Sequence, residues 1–305
     1  MILVHATRLV RKMRGGSQAH LLQCDNGEFY VVKFRNNPQH RRILINEWVA
    51  AVFLNYLQIS GPPGEFVHLS VEFLASNPEV YIQLASQRRL AVESGCHFGS
   101  RYPGDPYKVM VYDFLPDPLL DKVVNVNEFA GVVAFDKWMG NADARQSIFL
   151  RAGLRLSPPS SAGRPLRAGF VVHMVDHGHV FNGPHWTFLD SPLQGLYFRP
   201  SVYRNIRSLD DFQPWLDRIV RFPEAVVDEA QNQIPPEWML GDEATLDALL
   251  KKLLSRCRRV PDLIADSVGG RVNPFPDWTG PRCGLPGITP ALVCAAQPPR
   301  SRRIT

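Results

Sequence analysis

The sequence contains no run of eighteen or more apolar residues, so no membrane-spanning helix is expected. It is also poor in cysteine. Cys24, Cys96, Cys257, Cys283 and Cys294 are scattered, odd in number, and never spaced as a Cys-x-x-Cys pair. That speaks against a disulfide framework or a zinc site and for free thiols in a reducing cytoplasm. The opening MILVHATRLVRKMRGG has no basic segment before its apolar start and no small-residue cleavage site, so it does not read as a signal peptide. No internal repeat, no appended helix-turn-helix and no basic amphipathic membrane helix is evident.

What is present is ordinary for a folded chain. The 305 residues are 45% hydrophobic and 21% charged, enough for one large domain or two modest lobes. The net charge of +5 is dispersed, apart from RCRRV at 256–260 and the terminal PPRSRRIT. Without an aromatic-interleaved basic patch, direct nucleic-acid binding is not expected. A mild basic excess suits a phosphate-rich small ligand.

Residues 1–35 read as strands, with HLLQCDNGEFYVVKF forming a hairpin around Asp25-Asn26-Gly27. Ile43, Trp48, Val52, Leu54 and Leu57 then recur at helical steps until Gly61-Pro62-Pro63. Residues 64–107 look irregular. YKVMVYDFLPD reads as a buried strand entering a proline turn, and DKVVNVNEFAGVVAFDKWMGN as a helix that Asn127 could cap. Residues 151–169, rich in Pro, Ser, Gly and Arg, read as a flexible loop. FVVHMVD is a strand ending at Asp176. From about residue 200 the pattern is helical, with Leu246, Leu249, Leu250, Leu253 and Leu254 on one face. The proline-rich end reads as a poorly ordered tail. The order is a β-rich part followed by a mainly helical part: an α+β chain.

Four features can carry chemistry. Gly15 and Gly16 in RGGSQAH permit the positive φ of a backbone nest that faces phosphate oxygens, with Ser17 and Gln18 as added donors; an ordinary turn is the alternative. Lys33 lies in a strand among apolar residues, either snorkelling at an edge or pointing into a cleft. Glu47, fourteen residues on, can pair with it across such a cleft and hold it for phosphates. FDKWMGNADARQSIFL crowds Asp136, Asn141, Asp143, Arg145 and Gln146 between apolar segments. There Asp143 can accept a proton from an attacking hydroxyl or orient it, and its neighbours can set its geometry or meet phosphate and metal. The alternative is a helix or loop hydrogen-bond network. Asp176, at the end of an apolar strand before Gly178, is placed to hold Mg²⁺ on a nucleotide. His173, His177 and His179 raise zinc as another option, but no Cys/His cluster completes a tetrahedral site. In chain order these parts suit phosphoryl transfer.

VVKF, NEW, VYDFLPD, FDKWMGNADARQSIF and MVDHGHVFNGPHW together resemble the HipA-like kinases, a bacterial branch of the protein-kinase-like superfamily, over roughly residues 10–265. The resemblance implies a bilobal kinase fold with ATP and Mg²⁺ in the cleft and phosphorylation of serine on protein targets. The division implied is an N-lobe with hinge at 1–118, a helical C-lobe at 119–270, and a tail at 271–305. By the same resemblance Lys33 matches the ATP-phosphate lysine, Asp143 the catalytic-loop aspartate and Asp176 the metal-binding aspartate. Glu47 is a looser match for the lysine's partner, and Tyr112 to Leu115, including Phe114, would supply the adenine hinge. The sequence departs from the family where an asparagine usually follows the catalytic aspartate as second metal ligand. Gln146 is its best substitute. An antitoxin-like partner on another chain is a further implication. The readings that follow are an ATP- and Mg²⁺-dependent kinase acting on a Ser/Thr hydroxyl of a protein, a pseudokinase or nucleotide-sensing module, and a small-molecule kinase.

Overall fold

The computed structural model describes residues 3–154, 167–269 and 273–280. Five strands close into a barrel in the order β1 (Leu3–Lys12), β2 (His20–Cys24), β3 (Phe29–Lys33), β7 (Gly95–Arg101) and β4 (Gly64–Leu69). The β2–β3 hairpin turns at Asp25–Gly27, with Gly27 at φ 82°, as its sequence predicts. Val4, Leu22, Tyr30, Val32 and Val67 fill the barrel.

Helix α1 (Arg42–Leu57) follows β3 and is apolar on almost every face. A helix of that kind has to be covered all round. Here the barrel covers one side, and the later helices cover the other through a second, larger core that runs from Leu44 to Phe275. The helix ends at Gln58 in a left-handed conformation, before the Gly61-Pro62 stop is reached.

Residues 64–107 are more regular than the sequence suggests. They hold β4 (Gly64–Leu69), α2 (Val71–Ser76), β5 (Tyr81–Gln83), β6 (Arg89–Ala91) and β7 (Gly95–Arg101). Their glycines read as loop signals but serve close approach. A Cβ on Gly99 would sit 2.4 Å from Val67 Cγ2, across the β4–β7 pairing that closes the barrel.

His97 on β7 is fully buried. Its Nδ1 accepts from the Arg35 backbone N–H at 2.9 Å and its Nε2 faces the Glu93 carbonyl at 3.0 Å. Those partners require the neutral ring protonated at Nε2. Burial, with the Arg35 charge in support, pushes its pKa down to about 3 from 6.5. The unfolded chain therefore takes up this proton first as pH falls below 6.5, and stability is lost by about 1.4 kcal/mol per unit toward pH 3. Urea unfolding between pH 7 and 5 should show this slope, and His97→Gln, which can keep both hydrogen bonds, should flatten it by one proton. An unchanged slope in the variant would refute the assignment.

The second half begins with β8 (Val111–Tyr112), a two-residue edge strand. The stretch around it is largely exposed, at 70% for Tyr107 and 54% for Phe114, so the buried strand expected there is not formed. After α3 (Asp117–Leu120) comes α4 (Glu128–Met139). Asn127 precedes it in a helical conformation and makes no side-chain cap, contrary to expectation. β9 (Gln146–Leu154) and β10 (Arg167–Val175) form a long hairpin in which Gln146 pairs with Val175. The expected loop at 151–169 is thus strand at both ends, and 155–166 lie outside the described residues. Helices α5 (Trp215–Val220), α6 (Glu224–Asn232), α7 (Pro236–Met239), α8 (Glu243–Ser255) and α9 (Val260–Val268) complete the half. Leu246, Leu249, Leu250 and Leu253 of α8 are buried and Leu254 partly so. In the segment expected to be poorly ordered, Phe275 is buried against the rings of Tyr203 and Phe212. Cys24, Cys96 and Cys257 are buried free thiols, and the other two cysteines lie outside the described residues. No helix among the described residues is long and apolar enough to cross a membrane. The chain adopts the α+β class read from its sequence.

Candidate functional site

A cavity of about 400 Å³ opens between the barrel and the β9–β10 hairpin. Val31 and Lys33 of β3, Ser17 of the turn after β1, Gln146 and Ile148 of β9, and Asp176 after β10 all reach its wall. Four segments distant in sequence therefore converge on one space.

Lys33 organises that space. It is 7% exposed, and its Nζ donates both to Glu47 Oε1 and, at 2.7 Å, to Asp176 Oδ1. Alternation along β3 explains the direction: Val32 enters the barrel core while Lys33 faces the cavity. Asp176 is reached because the chain leaves β10 abruptly, with Asp176 itself at φ 60°. A non-glycine residue held there costs on the order of 1–3 kcal/mol, and such strain clusters at functional sites.

The charges set one another. Burial disfavours the Lys33 ammonium, but the two carboxylates outweigh it and hold the lysine protonated. Burial pushes Glu47 up, with Lys33 pulling against it. Burial also works against the Asp176 carboxylate, yet the Lys33 charge and hydrogen bond bring it down to about 2. Asp176 therefore stays ionised at any ordinary pH.

The crowded stretch between α4 and β9 divides into two sets. Asp136, Asn141 and Arg145 are buried. Arg145 donates to both carboxylate oxygens of Asp136, to the Val175 carbonyl at 2.9 Å, and faces His177 Nδ1 at 2.9 Å. Asn141 Nδ2 adds a 3.0 Å bond to Asp136. This is the hydrogen-bond network that stood as the alternative for Asp136. It leaves Arg145 pointing inward, tied to the strand end that carries Asp176, rather than toward a ligand. His177 has both ring nitrogens engaged, the second facing the Met174 carbonyl at 3.2 Å.

Asp143 and Gln146 form the other set and are exposed. Gln146 lines the cavity across the strand pair from Val175 and Asp176. Asp143 is not on the cavity wall; its Oδ1 accepts from the Ala144 N–H at 2.8 Å and its N–H donates to Asn141 Oδ1 at 3.1 Å. Gly15, at φ 120°, and Gly16 lie in the turn closed by Met13 N–H to Ala19 carbonyl at 2.8 Å, and Ser17 alone of the three reaches the wall. A Cβ on Gly16 would stand 2.9 Å from Gln39 Nε2.

Tyr112 and Phe114 face elsewhere. Tyr112 packs on the Phe170 ring, and Phe114 lies under the Arg199 guanidinium. Their neighbours Val111 and Asp113 face the cavity instead, as period-two alternation requires. The rim is completed by Arg101, Tyr102 and Pro103 at the end of β7, which the irregular reading of 64–107 concealed. Asn46 is a further residue the sequence reading passed over. Its Nδ2 lies 2.7–3.0 Å from the carbonyls of Gly178, Val180 and Gly183, and its Oδ1 accepts from Trp186 Nε1 at 2.9 Å. An amide next to Glu47 in a largely apolar helix was the available signal.

The donor set is chemically suited to a hard cation with phosphate. Asp176 is an ionised carboxylate of which Lys33 engages only Oδ1, and Gln146 offers an amide oxygen on the same wall.

The site is thus a strand lysine held between a helix carboxylate and a strand-end carboxylate, on the wall of a cavity between a β barrel and the β9–β10 hairpin. The HipA-like kinase family model matches residues 6–150, so the resemblance seen in the sequence is borne out over that stretch, which contains Lys33, Glu47, Asp143 and Gln146. Solved structures similar to the chain include a Golgi casein kinase with Mn/ADP bound, at 10% identity and a TM-score of 0.45 over 89% of this chain and 75% of that one. A second structure of the Golgi casein kinase matches at 12% identity and 0.46, over 88% and 73%. No curated protein matches the chain.

Proposed function

We propose that the chain is a kinase that binds ATP with Mg²⁺ in this cavity and transfers a phosphoryl group to a Ser/Thr hydroxyl of a protein. The observation that carries the reading is the placement of Lys33 between Glu47 and Asp176 on the cavity wall. Residues 1–118 and 119–270 would then be the two lobes, with the cavity between them. Lys33 would donate to phosphate oxygens while Glu47 keeps it oriented. Asp176 and Gln146 would hold Mg²⁺, which when bound offsets phosphate charge. Gly15, Gly16 and Ser17 would present N–H and hydroxyl donors to the phosphates. Asp143 would orient the acceptor hydroxyl, since it is exposed and three residues before the cavity-lining Gln146.

Thermal unfolding of the wild type and Asp176→Ala, with and without ATP and Mg²⁺, tests this. At a ligand concentration of about 100 Kd the folded state gains about 2.7 kcal/mol, a rise in Tm of several degrees. The shift should require the metal and shrink in Asp176→Ala. No shift with any combination would remove the proposal.

A second reading has its own support. Asp143 stands off the cavity wall, and the expected metal asparagine is Gln146, so the chain could bind nucleotide without turning it over. Transfer of labelled phosphate from ATP that is abolished in Asp143→Ala supports the kinase; tight binding with no transfer supports a nucleotide-sensing module.

A further inference from the structure

We propose that Arg11 and Arg14 form a cationic clamp that takes the polyphosphate of the ligand, an inference that rests on the reading of this cavity as a nucleotide site. Lys33, the residue first expected to neutralise phosphate, is already shared between two carboxylates. Lysine, Glu47 and Asp176 together carry one net negative charge, and a triphosphate is a polyanion. The phosphate end of the cavity therefore needs positive charge from elsewhere in the protein as well as from a metal.

The turn after β1 supplies it. Arg11, at the end of β1, and Arg14, beside Gly15, both line the cavity. Both are exposed, and among the described residues neither side chain has an ion-pair or hydrogen-bond partner. Lys12, between them, points the other way and lies over the Tyr81 ring. Arg11 and Lys12 are consecutive paired positions of β1, so alternation along the strand sends them to opposite faces.

The turn is also anchored on its far side. Gln18 Nε2 donates to the Gln83 carbonyl at 2.6 Å, and Gln18 Oε1 accepts from the Gln83 N–H at 2.7 Å. Gly16 abuts Gln39. The backbone is thus held from outside the cavity while two guanidiniums are left free inside it. Guanidinium forks suit phosphate oxygens, which they meet with two parallel hydrogen bonds.

The test compares adenosine, ADP, ATP and inorganic tripolyphosphate by titration calorimetry on the full chain, with Mg²⁺ present, for wild type, Arg11→Ala/Arg14→Ala and Arg11→Lys/Arg14→Lys. The alanine pair should weaken ATP and tripolyphosphate by about 10–100-fold, the loss of one or two charge-assisted hydrogen bonds. It should leave adenosine unchanged and flatten the salt dependence of ATP binding. The lysine pair should recover part of the loss. Equal weakening of adenosine and ATP would mean that the turn has merely been distorted, and unchanged ATP affinity would mean that the arginines do not touch phosphate; either overturns the clamp. Binding of tripolyphosphate through the arginines by a wild type that takes no adenosine would uphold the clamp and remove the nucleotide reading. A wild type that binds none of the four removes both.

Discussion

Asp136→Ala is expected to lower the stability of the chain by about 3–5 kcal/mol, the usual cost of removing one partner of a buried ion pair. Both side chains are fully buried, so the variant strands the Arg145 guanidinium without its paired carboxylate, with only the more distant Asp176 and Glu47 charges left to offset it. Asn141 Nδ2 loses its acceptor as well. The damage should reach the cavity, because the same guanidinium holds the Val175 carbonyl one residue before Asp176. Urea unfolding measures the first effect and loss of the nucleotide-dependent Tm shift the second. Asp136→Ala/Arg145→Met should recover a good part of the stability, since it removes the unpaired charge. A single-variant loss below about 1 kcal/mol, or a double variant no better than the single, would show that the pair is not the anchor described.

Lys33→Met should have the largest effect on activity. Removal of one preorganised donor to a developing charge typically costs about 10²–10³-fold in kcat, and here Asp176 loses its partner too. The variant also carries a pH signature. Glu47 is 3% exposed, and without the ammonium its carboxyl rises further above the ordinary 4.5. A carboxyl raised in the folded state contributes stability below its unfolded pKa and loses it as pH climbs toward the folded value. Stability of Lys33→Met should therefore fall as pH rises above about 4.5, and more steeply than that of the wild type. Parallel curves for the two proteins would mean that Glu47 is not held by Lys33. Adding Glu47→Gln should flatten the variant's curve without restoring activity.

Much of this site was legible because its residues sit in elements with strong local signals. Lys33 follows a period-two strand and Glu47 a helical run, so their approach could be anticipated from fourteen residues of spacing. Asp176 was marked by the apolar strand before it. The polar stretch 136–146 was harder, because sequence does not say which of several carboxylates faces inward. Asp136 and Asp143 differ only in what surrounds them: Asp136 lies on the buried α4 and meets Arg145, while Asp143 follows it into solvent. The rim was misplaced for a different reason. GEFVHL and GCHFGSR mix glycine, histidine and apolar residues without clean alternation, so the closing strands of the barrel read as loop. Residues that pack by close backbone approach, such as Gly99 against Val67, leave no hydrophobic pattern to read. Tyr112 and Phe114 were placed on the cavity by the family resemblance, and alternation along the strand sends both to the other face.

One turn of α1 carries a further consequence. Asn46, Glu47 and Trp48 are consecutive, and each step along a helix turns the side chain by about 100°. They consequently address three separate neighbours: the chain at 178–186, the Lys33 ammonium, and the Ala230 carbonyl with the Phe66 ring. The tripeptide works as a rotational index, like three notches on a shaft. A slip of one residue that carried the amide to the lysine would carry Ile45 to the loop that needs an amide and Glu47 to the Ala230 carbonyl, and all three fits would fail together. Insertions and deletions are then tolerable in the connection before Arg41 or beyond Gln58, where they change length without changing angle, and not within the helix between them.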